Sequence, residues 1–140
     1  STAQRVETAS VRVRDGHLVK PDGERLRIVG REPHRVDRGL HAAATEDEAP
    51  VWADALARFG INCVRFHFLD MPTHGPDDVD ADGSQRHPAG LIDRSQDHTQ
   101  ALDPDQLDRL DFFVAELKQR GIYTDLNLNV GRTYKAGDGV

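Results

Sequence analysis

Residues 60–132 hold two β-rich segments separated by a helical one, and that order dictates a parallel pair of strands. The first strand reads Gly-Ile-Asn-Cys-Val-Arg-Phe-His-Phe-Leu-Asp-Met-Pro over 60–72 and turns polar toward its end. The second reads Ile-Tyr-Thr-Asp-Leu-Asn-Leu-Asn-Val-Gly-Arg over 122–132, again polar at its end. Between them, 102–121 is an amphipathic helix with Leu107, Leu110, Val114 and Leu117 on one stripe. Strands joined through a helix make α/β folds, which place their chemistry where the strands end.

The punctuation agrees with these periods. Asp103 is the expected N-cap of the second helix, Pro104 its first residue and Gly121 the stop beyond it. An earlier helix is predicted over 46–59, acidic at its start, with Val51, Trp52, Leu56 and Phe59 on one face and Gly60 ending it. Pro50 fits only its first turn. Upstream, residues 11–20 alternate around Asp15-Gly16, a β-hairpin signal, and Pro21-Asp22-Gly23 turns the chain into a strand over 25–30. The long polar loop 70–101 is of a length usually reserved for function or disorder. The domain plan is therefore one unit over 1–140: hairpin and first strand to 30, an atypical stretch over 31–45, and β/α units from 46.

The 60–132 unit, with its Gly-Ile-Asn-Cys-Val-Arg-Phe strand, resembles the opening of the (β/α)8-barrel glycoside hydrolases of the cellulase and mannanase clan. That resemblance implies an incomplete, TIM-type β/α barrel with an N-terminal hairpin, because a complete barrel takes roughly 250 residues and this chain has 140. It also implies that Arg65 supports a catalytic carboxylate, and that Asn129 stands where the family has a sugar-binding histidine. The family's two glutamates follow its fourth and seventh strands, which this chain does not reach, so the family's own hydrolysis is not expected of it. The segment after Gly30 fits no strand period and departs from the family's Gly-Val-Asn. One GC-rich coding of it, shifted by a nucleotide, reads Gly-Val-Asn-Leu-Thr, as a compensated frameshift over 31–43 would produce.

Strand alternation puts Arg65 and His67 on one face of the 60–72 strand, and Asp125, Asn127 and Asn129 on one face of the 122–132 strand. Arg65, His67, Asp125 and Asn129 are the candidate catalytic residues, with Arg65 expected to be buried on the inner side; mutual satisfaction of these groups is the structural alternative. Asp70 and Asp125 are carboxylates within reach of a site, but no spacing singles them out. Seven histidines in an acidic chain raise metal binding. His34, Asp37 and His41 fall on one helical face if Pro33 starts a turn, and His67 can complete a zinc set with an open position for water. Solvated loop histidines are the other reading. Asp78, Asp80, Asp82 and Gly83 match half of a calcium loop, but Ala89 occupies the position of the bidentate glutamate. His74, His87 and His98 flank that loop.

A net charge of −6 without a basic patch excludes nucleic acid and anionic membranes as expected partners. No apolar run is long enough for a membrane span or a signal peptide, which leaves the compartment open. Cys63 is the single cysteine and reads as a buried structural thiol. The functional expectation is a small hydrolase acting on ester or phosphoester bonds of a small-molecule substrate, assisted by a divalent metal, zinc foremost, without an organic cofactor. A sugar-binding glycosidase remnant and a structural or binding module are the alternatives. Unpaired sheet edges predict a homodimer.

Overall fold

The computed structural model describes residues 10–31, 45–67, 69–70 and 90–140. Strands β1 (Arg12–Arg14) and β2 (His17–Val19) form an antiparallel hairpin with Arg14 opposite His17. Its turn residues Asp15 and Gly16 both have positive φ, at 50° and 73°. That is the backbone a two-residue loop needs to match the twist of its strands.

A second sheet is parallel, in the order β3 (Gly30–Arg31), β4 (Cys63–Phe66) and β5 (Tyr123–Leu126). Helix α1 (Glu48–Arg58) lies between β3 and β4 in the chain, and α2 (Pro104–Gln119) between β4 and β5. Asn62 fixes the start of this sheet. Its side-chain oxygen accepts from the Val29 amide and its side-chain nitrogen donates to the Arg27 carbonyl, both at 2.8 Å. Helix α2 begins as its residues require, with the Asp103 carboxylate accepting from the amides of Asp105 and Gln106. Gly121, at φ 72°, turns the chain out of it.

The core lies between the helices and one face of the parallel sheet. Val64 and Phe66 from β4 meet Ala49, Ala53 and Leu56 of α1 and Leu110, Phe113 and Leu117 of α2. Phe66 and Phe113 stand edge to face, their ring centroids 5.6 Å apart. Arg120, at the end of α2, ties the two helices by pairing with both Asp54 and Glu116. The face assigned to α1 from sequence is corrected in part: Ala49, Ala53 and Leu56 are buried, whereas Val51 and Phe59 are exposed. Small alanines at 49 and 53 let α1 approach the sheet closely, beside Leu56 and the partly buried Trp52. Pro50 sits in the first turn, as expected.

The expected partial β/α barrel is not what forms. The described residues make two helices and two small sheets, with no barrel-like arrangement of β/α units. The physical reason is visible on β4 and β5. A barrel interior is a packed layer of branched apolar side chains. Here the sheet face away from the core carries Arg65 and Asp125, whose side chains are 48% and 60% exposed. The strands are also short, at four residues each for β4 and β5, against the longer spans expected from sequence.

Because Phe113 is fully buried against Phe66, Phe113→Ala removes a ring from the centre of the core. A loss of about 3–5 kcal/mol is expected, a large fraction of the stability of a domain this size. Urea unfolding checks it: a midpoint unchanged from wild type would show that this ring pair is not the core.

Candidate functional site

Parallel strands that share a direction leave their carboxyl ends together, and here the segments following β4 and β5 are stitched into one cleft. The Asn127 amide donates to the Phe66 carbonyl at 3.0 Å, extending the pairing past β5. Asp70, four residues beyond β4, reaches across to the tail of β5. One carboxylate oxygen, Oδ2, accepts from the amides of Val130 at 2.7 Å and Gly131 at 3.3 Å. The loop before α2 joins the same layer through the Leu91 amide, bonded to the Leu69 carbonyl at 2.8 Å.

The other wall is a latch built from the last described turn, η1 (Ala136–Asp138), a short 3-10 helix. The Asp138 carboxylate accepts from the amide and the hydroxyl of Thr99, at 2.8 and 3.0 Å, and from the Lys135 amide at 2.8 Å. These bonds, the backbone donors of Lys135 and Thr99 foremost, hold the Asp138 carboxyl below the usual carboxylate range. The Gly137 amide donates to the Asp97 carbonyl at 3.0 Å. A Cβ at Gly137 would lie 2.7 Å from that same carbonyl oxygen, so the latch closes only because residue 137 has no side chain. Lys135 completes it by donating from Nζ to the carbonyls of Arg94 and Gln96.

Between these walls lies a cavity of about 140 Å³, lined by Asp70, Gly90, Ile92, Arg94, Thr99, Arg132, Thr133 and Lys135. Among the described residues, two buried polar atoms of this lining lack partners: Asp70 Oδ1 and Arg132 Nε. Asp70 is 5% exposed. A buried charged group whose hydrogen-bonding capacity is unfilled is costly, so each such atom calls for an explanation. The cleft can therefore receive a hydroxyl donor at Asp70 and an acceptor at Arg132.

The residues singled out from sequence lie partly here and partly elsewhere. Arg65 and Asp125 do face each other, Nε to Oδ2 at 3.6 Å, as the shared register of β4 and β5 requires. They form an exposed pair, not a buried one. It is worth at most about 1 kcal/mol, where breaking a buried pair would cost about 3–5. His67 is half-buried and its Nδ1 is 2.8 Å from the Asn127 side-chain nitrogen. Asn129 is exposed beyond the end of β5. His34, Asp37 and His41, the rest of the expected zinc set, lie outside the described residues, as do His74, His87 and the half calcium loop. His98 accepts from the Gln100 amide at 3.2 Å. Among the described residues, no three His, Cys, Asp or Glu side chains gather as a metal-binding group. Cys63 is buried, and desolvation pushes its thiol pKa up, as befits a structural residue.

Sequence reasoning reached Asp70 without a reason to choose it, and missed Arg94, Thr99, Arg132 and Lys135. A signal was present: Arg132 ends a predicted strand and Lys135 follows it, at the end where α/β folds bind ligands. Comparison with protein-family models, curated proteins and solved structures finds no match to this chain.

The Asp138 latch sets a pH dependence. Its folded pKa lies below its unfolded one, so its contribution is complete above the ordinary aspartate value of about 3.9 and fades as pH falls through the lower folded value. Wild type should melt higher than Asp138→Ala near neutrality, and the gap should close in strong acid. A gap that persisted unchanged to the lowest pH would mean that the carboxylate is not the latch.

Proposed function

We propose that this protein is a binding module for a small polyhydroxylated molecule of the sugar class, held in the cleft between Asp70 and Arg132. The observation that carries this reading is Asp70 Oδ1, a buried carboxylate oxygen with no donor, on a side chain whose other oxygen is already anchored by two backbone amides. Anchoring fixes the carboxylate's orientation before any ligand arrives. A sugar supplies paired hydroxyls, each both donor and acceptor, which suits a carboxylate on one side and a guanidinium on the other. The cavity of about 140 Å³ matches one six-membered ring, since a cavity of roughly 150 Å³ admits benzene.

The metal-assisted hydrolase expected from sequence draws less support. Three of its four ligands fall outside the described residues, and His67 is turned toward Asn127. Zinc content of the purified protein separates that reading from this one. Self-association remains a proposal on different grounds from barrel closure. Among the described residues strand β5 is bonded to β4 alone, and Leu126 at its end and Leu128 just beyond it are exposed. An edge of this kind invites pairing with a second copy. Sedimentation at micromolar concentration is expected to give twice the chain mass of 15.6 kDa; a monodisperse monomer would reject it.

Asp70→Asn tests the binding function with little disturbance to the fold. The amide oxygen can still accept from Val130 and Gly131, while its nitrogen replaces the acceptor that faces the ligand. Hydrogen bonds to charged groups are worth about 1.5–3 kcal/mol, so binding of monosaccharides should weaken by roughly 10- to 100-fold. Titration followed by amide chemical shifts reads this directly. Equal affinity in the two proteins would remove Asp70 from the site.

A further inference from the structure

The cavity lining contains three cations, Arg94, Arg132 and Lys135, against one carboxylate, Asp70. This local excess of positive charge stands in a chain whose net charge is −6. Of the three, Lys135 already has an acidic neighbour in Asp93, with which its charge interacts. Neither Arg94 nor Arg132 has an ion-pair partner among the described residues, and Lys135 spends two of its three donors on neutral backbone carbonyls. Asp70 is not paired with Arg132, although both line the same cavity. A neutral sugar would answer the orphan oxygen of Asp70 but would leave Arg94 and Arg132 without a counter-charge among the described residues.

We infer that the ligand is an acidic sugar, a single pyranose ring bearing one carboxylate. This rests on the sugar-binding reading above and adds its charge. The ligand's orientation follows from the electrostatics. Its carboxylate is repelled by Asp70 and attracted by the cationic wall formed by Arg94, Arg132 and Lys135, so a ring hydroxyl is left to donate to Asp70 Oδ1. Arg132 is the specificity residue, because its planar guanidinium suits a planar carboxylate and its Nε is the buried donor without an acceptor.

The test is calorimetric titration of the full chain at low salt with glucuronate, glucose, glucose 6-phosphate and acetate, in wild type, Arg132→Gln and Arg94→Gln, each variant first checked by its melting curve. Glucuronate should bind at least tenfold more tightly than glucose, acetate should bind weakly, and added salt should narrow the glucuronate advantage. Arg132→Gln should bring glucuronate down to the level at which the same variant binds glucose, and Arg132→Lys should restore only part of the difference. Equal binding of glucuronate and glucose overturns the acidic-ligand inference and leaves sugar binding standing. Preference for the phosphate overturns the carboxylate assignment. Acetate as tight as glucuronate overturns the sugar ring, and failure of every sugar to bind overturns both this inference and the reading it rests on.

Discussion

Parallel strands cannot be joined by a tight turn, and most of this structure follows from that constraint. The chain must cross over between β4 and β5, and α2 makes the crossing. It must cross likewise between β3 and β4, where α1 does so. Both helices pack together, so Val64 and Phe66 become the core side of the sheet and Arg65 is left on the other. The same constraint aligns the strand ends. The tails of β4 and β5 emerge side by side, which is why one carboxylate, Asp70, can bond amides sixty residues further along the chain.

What was legible in the sequence was local and periodic. The hairpin at Asp15-Gly16, the Asp103 cap, Pro104 and Gly121 each announce themselves by a backbone requirement that few other residues meet. The βαβ order was legible for the same reason. Tertiary placement was not. Val51 and Phe59 looked like the buried side of α1, because apolar size is what a pattern registers. The helix in fact turns its alanines inward, where close approach matters more than side-chain area. Arg65 looked like an inner residue because its alternation with its neighbours was read as a barrel interior, yet period alone says which residues share a face and not which face is covered. The barrel expectation failed at that step: three short parallel strands give a sheet with one clothed face.

The site was harder to read because its parts are scattered and individually ordinary. Asp70, Arg94, Thr99, Arg132 and Lys135 come from three segments, brought together by hydrogen bonds that leave no periodic trace. Thr99 and Asp138 are thirty-nine positions apart, and Gly137 is required only because the Asp97 carbonyl approaches it. The histidines were more conspicuous and drew attention by number. The proposed function rests on groups left unsatisfied after folding, and satisfaction is a property of the assembled structure.

The latch and the proposed ligand site thus form one mechanical unit. Lys135 faces the cavity, and its ammonium also holds the loop carrying Arg94, while its amide is a donor to Asp138. Anything that seats a negative charge against Lys135 acts on the same residue that fastens η1 to the 94–99 loop. A ligand that binds the folded state alone adds stability in proportion to its occupancy, about 2.7 kcal/mol at a hundredfold excess over Kd. Much of that gain should be felt where the elements are held by hydrogen bonds between loops and less by apolar burial, which describes η1, with no buried residue of its own. The core beneath α2, closed by Phe66 and Phe113, has little left to gain. Ligand binding should therefore protect the amides of Thr99 and Gly137 from hydrogen exchange more than those of the core strand β4, since the former open by local release and the latter only with the whole fold.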